Sequence, residues 1–468
     1  MSNGFSIRKI SLVTKKSVLI TWWIFADSRG ARFSACGLGA CIYLGGYFMS
    51  NYRKTRQRRV LSAIAAGSLV LSLAACSSSD SGSSDTTAAS GGGDRTGQTI
   101  KVGYVNNEGG VFSLPEFRIG GEVAINAINA AGGVNGAQIE VVSCLADASP
   151  EGSINCANKL IEAGVVLAYT GIDVASDAAI SLYAKAKIPY ITSNGWGPAQ
   201  EKDPNAFIMH AAGGAYFSTP LLAFQKQGIK KVAVVFEDTA AGRAYQPMIG
   251  EFAKTLGLEI ITTIIDPVKP DWTGALATSK SQGAEAIWGQ LQEPGCIGLV
   301  TAADAVKFDG IVFAGSCSVY MSVTGDKAIG SYNQSDLYFP NTRAVAPAAI
   351  QTRIDEYVAA MKAAGQEKLI DGFAPAPYSA WYELRSVLQS IDAATEITSE
   401  SVLAALTSGA TIPGWMGPDL RCGAKPWPDA PSACSSMIAV WKVVKLADGT
   451  LGREQVADFV DAYAALSK

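Results

Sequence analysis

The sequence predicts an α/β protein built from two doubly wound parallel-sheet units. Short apolar segments alternate with helical segments along residues 99–315, and the alternation starts afresh at residue 230. Segments such as VAVVF and IVFAG are apolar at consecutive positions, which is typical of parallel strands covered by helices on both faces. With 468 residues, of which 48% are hydrophobic and 17% charged, the chain can bury a sizeable core.

Residues 53–75 show the pattern of a secretory signal. The basic segment RKTRQRR precedes sixteen uncharged residues that end at LAAC, with Cys76 as its cysteine. This apolar run is shorter than the roughly 20 residues that a membrane-spanning helix needs. LAAC resembles the lipobox of bacterial lipoproteins, which implies that Cys76 is acylated and becomes the new N-terminus. We therefore interpret 49–75 as a signal peptide and 1–48 as an upstream extension that precedes the true start at Met49.

The segment that follows is predicted to be a flexible tether over residues 76–98, beginning with the lipidated cysteine. It is rich in Ser, Gly, Asp and Thr and has almost no large apolar side chain, so it cannot offset the entropy of ordering. Residues 1–75 hold 11 Lys and Arg against one acid, Asp27, which leaves 27 basic and 40 acidic residues in the remainder. Such an acidic remainder argues against a nucleic-acid partner.

The first α/β unit begins at residue 99 and the second at residue 230. In the first we expect strands at TIKVGYV, AQIEVVS, VVLAYTG and IPYITS, with helices over 114–131, 151–163 and 180–186. In the second we expect strands at KKVAVVFED, LEIITTII, AEAIWGQ and GIVFAGS, with helices over 245–256, 273–281 and 297–305. Ligands of doubly wound sheets bind outside the carboxyl ends of the strands, so the loops there are the candidate site.

Six cysteines follow Cys76, an even number that is available for pairing in an oxidising compartment. Fifteen connectivities are open to them. We favour pairing between neighbours, because each bond then closes a local loop: Cys144–Cys156, Cys296–Cys317 and Cys422–Cys434. Zinc is the alternative, but no CxxC occurs and the chain has a single histidine, His210. No metal or cofactor is expected.

Several segments resemble the branched-chain amino-acid-binding family of ABC-transporter solute-binding proteins, over nearly all of residues 97–468. The best match is GGEVAINAINAAGGVNGAQIEVV, in which glycines at 132 and 133 stop a helix and an Asn-Gly turn leads into the next strand. The others are KIPYITSNG, KKVAVVFEDTAAG and AEAIWGQLQEPG. The resemblance implies the type I periplasmic-binding fold, with two lobes, a three-segment hinge and ligand in the cleft between the lobes.

The crossovers implied by this fold divide the chain into interleaved lobes. We expect the first lobe at 97–213 and 340–410, with a helix over 378–394, and the second at 214–339 and 411–468. In the family, loops of the first lobe hold the ligand's carboxylate, while acidic and tyrosine side chains of the second meet its ammonium. Asp173 and Trp196 stand near an expected serine and threonine, and Glu293 stands near the family's acid. The candidate ligand-binding residues are Asn106, Phe112, Ser113, Asp173, Asn194, Trp196, Tyr216, Asp238, Gln292 and Glu293.

The expected function is capture of a small amino-acid-like or other small polar or amphipathic metabolite by lobe closure, and its delivery to an ABC-transporter permease. The protein would be held at the outer face of the bacterial cell membrane by Cys76. A sensor that passes ligand occupancy to a membrane receptor is the alternative. An enzyme is disfavoured, because the chain lacks a G-x-S-x-G elbow and both glycine-rich phosphate motifs. We expect His210 to be a structural residue near a lobe crossover.

Overall fold

The computed structural model describes residues 7–12, 20–25, 33–37, 40–44, 94–109, 113–195 and 197–467. The chain divides into two units, Met1–Asp85 and Thr86–Lys468. The predicted signal peptide and Cys76 lie outside the described residues. Among the helices that are described, none is both long and apolar enough to cross a bilayer.

The first unit contains four short strands that precede the predicted signal. They are β1 (Ile7–Leu12), β2 (Ile20–Phe25), β3 (Phe33–Gly37) and β4 (Ala40–Leu44). They form one antiparallel sheet in chain order. All four lie within the segment interpreted as an upstream extension.

The second unit contains two sheets, and the first of them forms the first lobe. In spatial order its strands are β15 (Ala433–Ser435), β9 (Ala206–Ala211), β8 (Tyr190–Thr192), β7 (Ala168–Thr170), β5 (Thr99–Asn107) and β6 (Gln138–Ala146). All neighbours are parallel. Val102 and Tyr104 pack into one apolar cluster and Val105 into another, because successive side chains of a strand point to opposite faces. Both faces are therefore covered by helices, as predicted.

Seven helices belong to this lobe. They are α1 (Pro115–Ala130), α2 (Pro150–Glu162), α3 (Asp177–Ala186), α4 (Pro198–Lys202), α10 (Ala348–Ala363), α11 (Pro375–Ser390) and α12 (Ser399–Thr407). Helix α1 ends at the predicted glycines, Gly132 and Gly133, whose φ angles are 94° and 65°. A side chain at Gly133 would collide with the carbonyl oxygen of Ala137, so only glycine fits this stop.

Helix α11 ends four residues earlier than expected, and Arg95 lies against its carboxyl end. The Arg95 guanidinium donates to the carbonyls of Ile391, Asp392 and Thr395 at 3.3, 2.8 and 3.0 Å. Arg95 is only 1% exposed, although it belongs to the segment predicted as a flexible tether. At least one residue of the segment predicted as a tether is therefore packed against the first lobe.

The second lobe is built on a seven-stranded sheet. In spatial order its strands are β11 (Glu259–Ile265), β10 (Lys231–Glu237), β12 (Ala286–Gln290), β13 (Ile311–Phe313), β14 (Tyr332–Ser335), β16 (Met437–Lys445) and β17 (Leu451–Asp461). The first five are parallel, and β16 and β17 add an antiparallel hairpin. Its helices are α5 (Gly213–Lys226), α6 (Ala240–Thr255), α7 (Trp272–Ser281), α8 (Glu293–Ala305), α9 (Tyr320–Thr324) and α13 (Ala462–Leu466).

The chain crosses between the two sheets three times, which confirms the predicted architecture of two lobes and a three-segment hinge. The first crossover is at Ala212, between β9 and α5, and the second follows β14 near Asp336. The third falls at Ser436, between β15 and β16. Strand β15 joins the sheet of the first lobe, although its residues stand in the 411–468 segment assigned to the second. The exact lobe boundaries stay a prediction, with the third crossover moved towards the C-terminus.

The three predicted disulfides are present. Their Cα–Cα distances are 5.5 Å for Cys144–Cys156, 6.5 Å for Cys296–Cys317 and 4.0 Å for Cys422–Cys434. The first joins β6 to α2, and the last closes the irregular segment before β15. Pairing between neighbours was therefore the right choice among the fifteen connectivities. Within the described residues, no group of three His, Cys, Asp or Glu side chains could hold a metal ion.

Candidate functional site

The carboxyl ends of β5 and β7 bring three polar side chains of the first lobe together. Asn106 is fully buried, and it accepts from the N–H of Ile172 at 3.1 Å and donates to the carbonyl of Leu114 at 2.9 Å. Asn107 donates to the carboxylate of Asp173 at 3.4 Å. These bonds tie two strand-end loops to each other within one lobe. We call Asn106, Asn107 and Asp173 the first-lobe edge.

The carboxylate of Asp173 is hydrogen-bonded to groups of its own lobe. Its Oδ1 accepts from the hydroxyl of Ser153 in α2 at 2.8 Å and from the N–H of Ala175 at 3.1 Å. Burial raises the pKa of Asp173 in spite of these hydrogen bonds. The side chain therefore holds its loop against α2, and its role towards a ligand stays a prediction.

Asn194 and Tyr216 were predicted separately, and the structure brings them into direct contact. Asn194 follows β8 in the first lobe, and Tyr216 lies in the first turn of α5 in the second. The Asn194 amide donates to the Tyr216 hydroxyl at 2.9 Å and to Oδ2 of Asp336 at 3.3 Å. The Tyr216 hydroxyl donates to the same Asp336 oxygen. Burial raises the pKa of Tyr216 well above its usual range, and the Asp336 carboxylate adds to this shift.

His210 lies on β9, two residues before the first crossover, where the sequence placed it. Its Nδ1 is 3.4 Å from Oδ2 of Asp336, and its Nε2 is 3.3 Å from Oε2 of Glu383. The other Glu383 oxygen accepts from the hydroxyl of Ser379 at 3.0 Å and from the N–H of Trp415 at 3.1 Å. His210 and Glu383 are each 1% exposed. We define the hinge cluster as Asn194, His210, Tyr216, Asp336 and Glu383.

Glu293 is the first residue of α8 and is engaged within the second lobe. Its carboxylate accepts from the backbone N–H groups of Ser318, Val319 and Tyr320 at 2.6, 3.0 and 3.1 Å. It therefore caps the start of α9, a structural role that the family resemblance does not imply. A ligand ammonium would have to share this carboxylate with three donors that already satisfy it.

Other predicted residues lie away from the hinge cluster. Asp238 forms an ion pair with Arg243, and the two side chains are 44% and 65% exposed. Gln292 is exposed just before α8, and Ser113 is exposed and accepts from the N–H of Gly109 at 3.2 Å. Phe112 and Trp196 lie outside the described residues.

The structure adds residues that the sequence did not single out. Phe117 of α1 stacks on Phe373, with ring centroids 5.2 Å apart. Next to that ring, Gly372 of the first lobe approaches Val319 of the second, since a Cβ built on it would lie 3.5 Å from the valine side chain. Phe117 stood in a predicted helix, but nothing in the sequence signalled that the segment before α11 returns to it.

One buried cation in the second lobe has no carboxylate partner among the described residues. Arg453 of β17 is 2% exposed, and its guanidinium contacts Sδ of Met321 at 3.3 Å and the carbonyl of Cys317 at 3.5 Å. Burial lowers the pKa of Arg453 to about 10, and Asp371 and Glu293 attract it without direct contact. Sequence periodicity gave no signal for this residue, because β17 was not predicted.

Comparison with known proteins places the chain in one family. Residues 99–429 match the family described as periplasmic binding protein. No curated protein sequence matches the chain. The family match covers well over half of the sequence and includes residues of both lobes.

Solved structures share the fold at low sequence identity. An ABC transporter substrate-binding protein from Sphaerobacter thermophilus is 19% identical with a TM-score of 0.64, and the match covers 78% of this chain and 99% of that one. A solute-binding protein from Rhodopseudomonas palustris, solved with 3,4-dihydroxybenzoic acid, is 23% identical with a TM-score of 0.60, covering 77% and 97%. A leucine-binding protein from Thermotoga maritima is 15% identical with a TM-score of 0.59, covering 76% and 97%.

Proposed function

The chain belongs to the periplasmic binding protein family, and we propose that it captures a small metabolite outside the cytoplasm and delivers it to an ABC-transporter permease. The ligand would be amino-acid-like or another small polar or amphipathic molecule. Closure of the two lobes around it would create the surface that the permease recognises, and the ligand drives closure only by its differential affinity for the closed form.

The observation that carries this proposal is the contact between Asn194 and Tyr216. Asn194 extends from the loop after β8 in the first lobe and Tyr216 from the first turn of α5 in the second, and the two side chains meet at 2.9 Å. An amide and a phenol can both donate and accept hydrogen bonds, so a polar ligand group could bind to either of them. A ligand held there would touch both lobes at once, which is the requirement for closure.

The chemistry at this contact suits a small polar ligand. Asp336 supplies a carboxylate there, beside the Asn194 amide and the Tyr216 hydroxyl. The relatives named above were solved with, or are named for, an aromatic acid and an amino acid. We therefore expect a ligand of that size, with at least one ionised or hydrogen-bonding group.

A direct test is calorimetry of the purified protein against amino acids, their amides and aromatic acids, paired with small-angle scattering. We expect one ligand class to bind and to reduce the radius of gyration. Asn194→Ala should weaken that binding by about 1–3 kcal/mol, because it leaves Tyr216 and the ligand with an unpaired group. Asp355→Ala, at the exposed ion pair with Arg343, is the matched control and should bind normally. Binding without compaction, or equal affinity in Asn194→Ala, would refute the proposed mechanism.

Attachment to the membrane is proposed to occur through Cys76. The protein would then fractionate with membranes, and Cys76→Ser would be recovered in the soluble fraction or as an unprocessed precursor. The three disulfides suit an oxidising compartment outside the cytoplasm. A soluble wild-type protein whose N-terminus lies upstream of Cys76 would exclude the lipid anchor.

A further inference from the structure

His210 is the only histidine of the chain, and both of its ring nitrogens face a carboxylate. A neutral imidazole carries one N–H, so it can donate to one carboxylate only and must turn a lone pair towards the other. The imidazolium ion carries two N–H groups and a positive charge. Neither nitrogen meets its carboxylate in hydrogen-bonding geometry, so the two contacts, at 3.4 and 3.3 Å, favour the protonated form through charge.

The charges around His210 favour the same form. Burial by itself would lower the pKa of His210, but the carboxylates of Asp336 and Glu383 outweigh burial and raise it. No lysine or arginine of the described part of the chain forms an ion pair with either carboxylate. Two phenols also lie near these acids. The Tyr216 hydroxyl on α5 donates to Asp336, and burial together with the Glu383 carboxylate raises the pKa of Tyr169 on β7. Within the described residues, His210 is thus the one basic side chain that pairs with these two buried acids.

The two acids belong to different parts of the molecule. Glu383 is on α11 of the first lobe, and His210 is on β9 of the same lobe. Asp336 directly follows β14 of the second lobe, at the second crossover. The contact between His210 and Asp336 therefore crosses from one lobe to the other at the hinge.

The hinge contact also reaches the candidate ligand site. Oδ2 of Asp336, the oxygen that faces His210, is the same atom that accepts from Asn194 and Tyr216. A change in the charge of His210 would change the electrostatic attraction at this oxygen. It would thereby change how firmly the oxygen holds Asn194 and Tyr216, the two residues that join the lobes.

We propose that protonated His210 is an electrostatic pivot that holds the two lobes together at the hinge, and that loss of its proton loosens them. This proposal depends on the proposed function in one respect, namely that the cleft between the lobes is the ligand site. Deprotonation would leave the carboxylates of Asp336 and Glu383 buried without a cation, which is a costly arrangement in a low dielectric. Moving the lobes apart lets water reach Asp336. The ligand-free protein should therefore be more open at high pH.

The single histidine makes the first test direct. NMR titration of the full-length protein, purified through a tag free of histidine, reports the imidazole of His210 without any need for assignment. We expect its pKa to lie above the value of an exposed histidine, about 6.5. Asp336→Asn should lower this pKa, since it removes one of the two carboxylates. A pKa at or below the exposed value in the wild type would overturn the proposal even if no variant folds.

Small-angle scattering of the ligand-free protein across the same pH range tests the second half. The radius of gyration should rise with a midpoint at the measured pKa of His210. His210→Gln, which keeps a polar side chain but cannot be charged, should show no such transition, and Asp355→Asn, at the exposed ion pair with Arg343, should behave as the wild type. A pH-independent radius in the wild type, or an unchanged transition in His210→Gln, would refute the pivot. Failure to find a ligand by calorimetry would instead count against the proposed function.

Discussion

The first-lobe edge consists of polar side chains at strand ends, whereas the hinge cluster combines residues at or near strand ends with residues of helices α5 and α11. The two groups also connect different parts of the molecule. Asn106, Asn107 and Asp173 bond only to groups of their own lobe. The hinge cluster contains contacts from one lobe to the other, at Asn194–Tyr216 and His210–Asp336. Position at a strand end therefore does not by itself decide whether a residue contacts the other lobe. Each contact between the lobes includes a residue beside a crossover, Tyr216 in the first and both His210 and Asp336 in the second.

Electrostatics separates the two regions in the same way. Asp173 is a buried acid without a cation, and burial raises its pKa. In the hinge cluster, two acids share a buried histidine whose pKa is raised by them. The negative charge of Asp173 is unfavourable in its buried site, whereas the carboxylates of the hinge cluster are stabilised by His210. Substitutions that remove a carboxylate charge should therefore have opposite effects on the free energy of unfolding in the two regions.

The largest effect is expected at Glu383. Glu383→Ala removes one partner of a buried charge and the acceptor of Ser379 and Trp415, and it should destabilise the fold by about 3–5 kcal/mol in urea unfolding. Glu383→Gln is the matched variant, because it keeps an acceptor for these donors and removes only the charge. If Glu383→Gln were as stable as the wild type at pH 6, the charge of Glu383 would be irrelevant and the contrast with the edge would fail.

A smaller effect is expected at Tyr216. Tyr216→Phe removes the hydroxyl that Asn194 and Asp336 share, at a cost of about 0.5–1.5 kcal/mol in the free energy of unfolding. Because this hydroxyl connects the lobes, we also expect the backbone amides around β8 and α5 to exchange hydrogen faster than in the wild type. Protection that stays the same there while stability falls would show that the bond contributes to folding but does not restrain the lobes.

The smallest effect is expected at Asp173. All three described bonds of its side chain involve Oδ1, which an asparagine oxygen can replace. Asp173→Asn should therefore be no less stable than the wild type at pH 7, with a difference within about 0.5 kcal/mol. A loss of several kcal/mol would show that the ionised carboxylate is needed at the edge as well.

The pH dependence of stability should separate the two groups further. The folded pKa of Asp173 lies above its unfolded value of about 3.9, so its contribution is present below that pH and is lost as the pH rises through the folded pKa. The contribution of His210 is present below about pH 6.5 and is lost as the pH rises through its own raised pKa. Unfolding curves of Asp173→Asn and His210→Gln should each lack one of these two losses.

Local pattern was enough for most elements of the two α/β units. Each predicted strand and helix of those units is present, because apolar runs and helical periodicity depend on neighbours in sequence. Helix α6 begins at Ala240 and α8 at Glu293, earlier than the apolar positions suggested. Their first turns, AAGR and EPGC, contain no large apolar side chain, so periodicity could not reveal them. Strands β15, β16 and β17 were not predicted.

The amino-acid sequence determined the fold class, the disulfide pairs and the short list that contained Asn194 and Tyr216, because each depends on residue type and local order. Tertiary structure alone decided that these two side chains meet and that Asp336 and Glu383 face His210. Asn194 and Tyr216 are 22 residues apart in the sequence. Asp336 is 142 residues from Asn194 and 120 residues from Tyr216. Hydrogen bonds and ion pairs act over a few ångströms in space, whereas sequence pattern reaches only a few residues along the chain, so the hinge cluster exists only where the crossovers bring the lobes together.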